Sequence, residues 1–483
     1  MRLTRRTHTR TTTITEAGMR GIELLVLLGA CASASTSGDV RRVRTLSHAP
    51  VLAKAADERV EPTTDADART LLREPLSAER AVRIALLNNR SLRAELRELG
   101  ISRGRLMQAG LVGNPTFEVE LLPERDSDVE LRAEYDLSTL LLAPLASRAA
   151  SAELEAEQYR VAGSVVELGY RVRAAWFELA AAEQRLSFAQ RTLDALTAGR
   201  DAAVALLEAG NIPPLEASRQ IVAFENARIE VARHELALAD QREHMQRLLG
   251  LYGEETSWKL AEGLAALPAE PTLPDKLEAA VLGASLDLKA MAQRLEAAAR
   301  RTGITRTAGW LPGVEVDVHA LHTKPDDPNM DKRWRYGGGV SVAVPLFDRQ
   351  QGELRANEAE FDALLERQQG LAIELRSQAR AARNRVLSTY ARANAYQHTL
   401  VPAQQTVVEQ TVLQFNAMQV SVFDLLLARR AELEIQLAAV DAQAAYWSAQ
   451  AALDALLAGK LVGQEDEADE HASMSRGESE RGH

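Results

Sequence analysis

Few residues in this chain have a type and spacing that could do chemistry. One cysteine, Cys31, stands among 483 residues, which excludes a disulfide framework and any thiolate metal cluster. The nine histidines are scattered. No HExxH zinc motif, GxSxG nucleophile or phosphate-binding glycine loop occurs. His319 and His322 stand three apart in a run that alternates like a strand, so they point to opposite faces and no metal site is expected of them. Asp326 and Asp327, between Pro325 and Pro328, read as a surface turn. No catalytic residue stands out, and an enzyme reading has little support. Charge is the remaining chemistry. Glu118, Glu120, Glu130, Glu134, Asp136, Glu315 and Asp317 alternate with apolar residues, and Arg132 is the main opposing charge. Such a face attracts cations, though across a wide space its field fades within a Debye length of ~8–10 Å. Ser421 and Asp424 have the spacing of a capping box, with Ser421 at the N-cap and Asp424 at the third helical position.

Cys31 has a chemistry of its own. Residues 1–20 are rich in Arg and Thr, Ile22–Ala30 is short and mostly apolar, and small residues precede Cys31. That order describes a secretory leader. Leu28-Gly29-Ala30-Cys31 resembles the bacterial lipobox, after which the cysteine becomes a lipidated first residue. Two or more acyl chains anchor stably, at ~0.8 kcal/mol per buried CH₂. Ala32 follows, where Asp would resemble an inner-membrane retention signal, so the outer membrane is compatible. Residues 1–31 therefore read as leader and 32–75 as an extended linker. Residues 462–483, with Glu465-Asp466-Glu467, read as a disordered polar tail.

The elements that carry the acids are written twice. The net charge of −11 disfavours a nucleic-acid partner. Apolar residues make up 46 % and aromatics 4 %, so Ala and Leu dominate and helices pack through small side chains. No apolar run reaches the ~18 residues of a membrane-spanning helix. Each half runs helix, two strands, very long helix, tight turn, long helix: residues 76–257, then 258–461. Asn114-Pro115 and Leu311-Pro312 open the strands, and Leu137 and Leu346 close them. Val161, Val165, Leu168, Val172, Trp176 and Leu179 recur at helical spacing, as do Leu371, Leu375, Ala379, Ala382 and Val386. A helix of ~60 residues is about 90 Å long. The four strands, near 115–137 and 313–346, alternate apolar and polar over ~9–11 residues. A soluble amphipathic sheet alternates in the same way. In lipid only a closed barrel satisfies the backbone, and closure takes about eight strands. If these strands span a membrane, several chains share one barrel.

The chain resembles the TolC family of bacterial outer-membrane efflux channels over about residues 76–461. Val344-Pro345-Leu346-Phe347-Asp348-Arg349-Gln350-Gln351-Gly352-Glu353 is similar to the family's strand-to-helix junction. Ala85–Asn89 and Gln108–Pro115 are similar to its first helix and the approach to its strands. Leu207-x-x-Gly210-x-x-Pro213-x-x-Glu216 and Phe415-x-x-Met418-x-x-Ser421-x-x-Asp424 resemble its paired periplasmic turns. With the lipobox, the likeness is to the lipoprotein branch serving resistance-nodulation-division pumps. The resemblance implies a mainly α fold with a small membrane β-barrel contribution. Three copies would give four strands each to a twelve-stranded barrel on a long α-helical barrel. It implies a homotrimer in outer-membrane lipid, a periplasmic adaptor, an inner-membrane transporter, and no cofactor beyond lipid on Cys31. It places Asp424 at the periplasmic aperture beside Ser421, with Phe423 and Leu427 as a constriction or as helix packing. The family's second acid is replaced here by Leu427. The turn residues Gly210, Asn211, Pro213, Glu216 and Met418 would dock the adaptor, and the seven strand acids would line the lumen. The competing reading is a lipid-anchored coiled coil that spans the periplasm without a pore.

Overall fold

The computed structural model describes residues 36–48, 70–122, 128–261, 263–323 and 333–461. The expectations about the leader, Cys31 and the tail lie outside these residues. Two copies of one unit account for the described architecture. The first holds α2 (Ala78–Asn88), α3 (Arg90–Gly110), β1 (Thr116–Leu122), β2 (Asp128–Asp136), α4 (Ser138–Glu208) and α5 (Pro214–Leu249). The second holds α6 (Leu277–Ala284), α7 (Leu286–Ala308), β3 (Gly313–Thr323) and β4 (Arg333–Ala343). It continues through α8 (Gln351–Ala395), α9 (Val401–Asn416) and α10 (Val422–Leu457). A further helix, α1 (Ser37–Leu46), precedes both.

The long helices form because their apolar stripes have somewhere to go. Val161, Val165, Leu168, Val172, Trp176 and Leu179 on α4 are all buried, against α1, α2, α3 and the end of α5. Leu375, Ala379 and Val386 on α8 are buried against α6 and α10. The two cores meet where Leu286 joins the first and where Ala181 of α4 packs with Val440 and Ala444 of α10. At 71 residues α4 is about 107 Å long. In the second half the matching helix breaks into α8 and α9 at a π-turn, Tyr396–Leu400. Pro402 explains the break, since it has no N–H to offer the His398 carbonyl and its ring crowds that turn.

Each half begins with two helices where the sequence predicts one. Asn89 caps α3 by accepting from the Leu92 N–H at 3.0 Å, and Ser285 caps α7 by accepting from the Leu288 N–H at 3.1 Å. Side chains that compete with the helix backbone make these breaks.

The expected linker over 32–75 is corrected in part. Residues 37–46 form α1, which buries Val40 and Val43. Asp39 is 2 % exposed. It accepts from Arg103 Nε at 2.9 Å and from Gln158 Nε2 at 2.7 Å. A docked helix carrying a paired buried carboxylate has the polar composition of a linker.

The strands form one antiparallel sheet in the order β1-β2-β3-β4. Its register aligns Val119, Leu131, Ala320 and Tyr336 across one face, and Glu118, Arg132, His319 and Gly337 across the other. The strands end at Asp136 and Ala343, against the predicted Leu137 and Leu346, though the Leu137 N–H still bonds the Val314 carbonyl at 2.9 Å. Leu137 already caps α4, and Pro345 has no N–H for a ladder.

Candidate functional site

Two places bring the charged residues together: the sheet faces and the hairpin tips. On the sheet, alternation drives all seven acids to one side. Three acidic pairs sit directly opposite across strands: Glu120 with Glu130, Glu134 with Asp317, and Asp136 with Glu315. Like charges in those positions repel. Arg132 offsets part of this, bonding Glu130 at 3.1 Å and lying 3.5 Å from Glu134. His319 Nδ1 lies 3.2 Å from Asp317 Oδ2. The result is a face on which the seven acids outnumber the basic Arg132, Arg333 and Arg335.

Gly337 and Gly339 belong to this face, and sequence reasoning passed over them. A Cβ on Gly337 would strike the His319 ring, and one on Gly339 would lie 2.5 Å from Asp317 Oδ1. Three successive glycines in a strand signal such a close approach. Arg335 also lies on this side, opposite Leu321. His322 does not: it packs against Trp334 on the apolar side, ring centroids 4.9 Å apart. Among the described residues no group of three His, Cys, Asp or Glu stands close enough to hold a metal ion.

Nothing among the described residues covers the apolar face. Phe117 is 73 % exposed, Val119 65 % and Tyr336 80 %. No helix among the described residues is long and apolar enough to cross a membrane.

At the tips, the two hairpins turn in the same way. The Gly210 N–H bonds the Leu207 carbonyl at 2.9 Å and the Asn211 N–H bonds Leu206 at 2.8 Å. The Met418 N–H bonds Phe415 at 2.9 Å and the Gln419 N–H bonds Gln414 at 2.9 Å. Both are Schellman closures with a left-handed residue after the helix. Pro213 and Ser421 then open α5 and α10. The Ser421 N–H donates to Asp424 Oδ2 at 2.8 Å, and the Asp424 N–H donates to Ser421 Oγ at 3.2 Å. The capping box is therefore formed as the spacing predicts. Asp424 and Leu427 are exposed along one side of α10, Phe423 is half-buried, and Glu216 pairs with Arg219 at 3.2 Å. The tips lie close because Gly199 on α4 leaves room for Leu426, whose Cδ1 would be 2.8 Å from a Cβ there.

A family model for outer membrane efflux proteins matches residues 144–251 and 279–459. The chain belongs to that family. This efflux protein is 26 % identical over 360 residues to the cobalt-zinc-cadmium resistance protein CzcC of Cupriavidus metallidurans, covering 74 % of this chain and 84 % of that one. Among solved structures it matches the outer-membrane channel OprN with a TM-score of 0.64, at 18 % identity over 81 % of this chain and 91 % of that one. It matches VceC of Vibrio cholerae with a TM-score of 0.63, at 18 % identity over 79 % and 96 % of the two chains. The open-state MtrE channel of Neisseria gonorrhoeae gives 0.60, at 21 % identity over 79 % and 89 %. The efflux protein thus has the fold of these outer-membrane channels. Its family and structural neighbours are channels rather than enzymes.

Proposed function

We propose that three copies of this efflux protein close one twelve-stranded barrel in the outer membrane and continue it as a helical conduit across the periplasm. The sheet supports this most directly. It has four strands, β1 and β4 pair on one side only among the described residues, and its apolar face is bare. In lipid every backbone group needs a partner, so four strands need further copies. The even strand number keeps the closing pair antiparallel. With the apolar face toward lipid, the acids from Glu118 to Asp317 line the lumen and favour cations on the way out. Asp424 forms one acidic ring at the periplasmic aperture, with Phe423 and Leu427 narrowing it.

In this reading Cys31 carries the lipid that holds the chain in the membrane. The tips at Gly210, Asn211, Pro213, Glu216 and Met418 meet a periplasmic adaptor, which joins the channel to an inner-membrane resistance-nodulation-division transporter. The CzcC relative makes divalent metal cations the cargo to test first. The deciding experiment is the mass of protein extracted from outer membranes in mild detergent, corrected for bound detergent. A mass of three chains is expected. A single-chain mass in intact helical protein sinks the proposal and restores the anchored coiled coil without a pore.

A further inference from the structure

We propose that the cavity between α2, α4 and the end of α10 is a docking site for the acidic, alanine-bearing stem peptides of peptidoglycan, through which the cell wall grips the outside of this protein. The inference rests on the channel reading in one respect only: that reading puts the cavity on the outer wall of the conduit.

The cavity has the chemistry of a peptide site. Its volume is about 280 Å³. The floor is apolar and made of short side chains: Val165 of α4 and Ala451 and Ala455 of α10 are buried, and Val82 of α2 closes one side. Gly169 adds no side chain, and a Cβ there would meet only Val82, at 3.8 Å. Small alkyl groups, such as the methyls of alanine, suit a floor of this kind.

The rim is cationic. Arg83 of α2 and Arg173 of α4 line it, both exposed and neither in an ion pair among the described residues. The one carboxylate among the lining residues is Asp454, whose Oδ1 accepts from Gln450 Nε2 at 3.0 Å. Two guanidinium groups against one carboxylate favour an anionic ligand, and their planar forks match carboxylates in particular. Asp454 is placed for an ammonium on the same ligand. A stem peptide carries methyl groups, free carboxylates and an ammonium together.

The surroundings have the same sign. Across α1 to α3, over residues 36–48 and 70–110, eleven arginines stand against five acids, in a chain whose net charge is −11. Such a zone draws in an anionic polymer. Position decides which polymer. Beneath the strands the helices pack in the row α3, α4, α7, α8, and α1 and α2 lie on α4 outside that row. In a closed ring they would fill the conduit if they stood on its inner side, so the cavity opens outward. Gly169 is about 46 Å along α4 from Ser138, where the helix leaves the sheet. Phospholipid phosphates lie at the level of the sheet's end and do not reach so far. The anionic network at that depth is the cell wall.

The test is co-sedimentation of the full-length, detergent-extracted protein with purified sacculi, its mass being measured in parallel. Salt-sensitive binding is expected, with competition by a soluble muramyl tetrapeptide. Arg83→Gln with Arg173→Gln is expected to weaken binding about ten-fold. Gly169→Leu, which fills the cavity and leaves every charge in place, is expected to do the same. Arg41→Gln with Arg105→Gln removes equal charge from α1 and α3 away from the cavity and is expected to change binding little. Equal losses from the two arginine pairs overturn the site in favour of a diffuse basic surface. A three-chain mass with no sacculus binding overturns the proposal and leaves the channel. Tighter binding to phosphatidylglycerol vesicles than to sacculi overturns it as well. A single-chain mass that still binds sacculi through Arg83 and Arg173 supports the site and sinks the channel reading.

Discussion

Met418 occupies the left-handed position that Gly210 occupies in the other hairpin: φ is +57° at Met418 and +73° at Gly210. Glycine adopts that conformation freely, whereas a Cβ costs ~1–2 kcal/mol. Met418 is also 93 % exposed, so packing within the chain does not repay the strain. Met418→Gly is expected to raise the thermal midpoint of the channel, and Gly210→Met to lower it. If the exposed thioether meets the adaptor, Met418→Gly also weakens adaptor binding while stabilising the fold. Calorimetry and adaptor titration on one preparation separate the two effects.

Asp424 serves two arguments that mutation can split. The Ser421 hydroxyl first, and its backbone N–H second, hold the Asp424 carboxyl below the usual carboxylate range. A depressed folded value means its contribution is complete above the ordinary carboxylate pKa and is lost as pH falls through the lowered one. Protection from hydrogen exchange in the first turn of α10, taken relative to the intrinsic exchange rate at each pH, should therefore be constant near neutrality and fall only in strong acid. Ser421→Ala removes the cap, at about 1 kcal/mol, and leaves the charge. Asp424→Asn removes the charge. In planar bilayers only Asp424→Asn is expected to lower cation preference. Equal shifts from both variants would mean that tip geometry, not charge, sets selectivity.

The two faces of the sheet should respond oppositely to the same substitution. Val119 and Glu118 are neighbours in the middle of β1 with side chains on opposite sides. Arg at a lipid-facing midplane position costs ~2–4 kcal/mol. Val119→Arg is expected to deplete folded protein from outer membranes. Glu118→Arg is expected to assemble normally and to reduce cation preference in conductance. Equal assembly of both variants would point to a soluble sheet.

What the sequence made legible, and what it did not, follows from how each element earns its place. The stripe from Val161 to Leu179 and the alternation from Phe117 to Asp136 are periodic over many residues, and periodicity survives in any tertiary context. The helix at Ser37–Leu46 escaped because it is short and its apolar side is two valines, Val40 and Val43. Its third buried residue, Asp39, reads as solvent-loving until Arg103 and Gln158 arrive from elsewhere in the chain. The π-turn had one local sign, Pro402. The closeness of Gly337 to His319 depends on strand register, which no single strand encodes.

That hidden pairing at Asp39 makes a stability prediction. Arg103→Met leaves a buried carboxylate without its cation, a change that costs ~3–5 kcal/mol when the pair is fully buried and less here, because Arg103 is partly exposed. Asp39→Asn keeps the shape and one acceptor and should cost less than Arg103→Met. Limited proteolysis within Ser37–Leu46 is expected to be slowest in wild type, faster in Asp39→Asn and fastest in Arg103→Met. An equal rate in wild type and both variants would show that α1 docks through Val40 and Val43 alone.

The joint that closes each half gives the sharpest test of the duplication. At the end of α5, Gly250 has φ +70°, and a Cβ there would lie 2.8 Å from the Asn88 carbonyl oxygen. At the end of α10, Gly459 has φ +100°, and a Cβ would lie 2.5 Å from the Ala284 carbonyl oxygen. Each glycine thus lets the last helix of its half turn against the break between the first two. Alanine at either site meets both a backbone clash and a left-handed penalty of ~1–2 kcal/mol. Gly253 is the control: its φ is +62°, and a Cβ there meets nothing within 4 Å. Gly250→Ala and Gly459→Ala should each lower the unfolding midpoint clearly more than Gly253→Ala, because backbone on the far side cannot give way as a flexible side chain would. Equal losses at all three sites would mean that only the dihedral matters, and that the close approach of each glycine to its half's helix break carries no load.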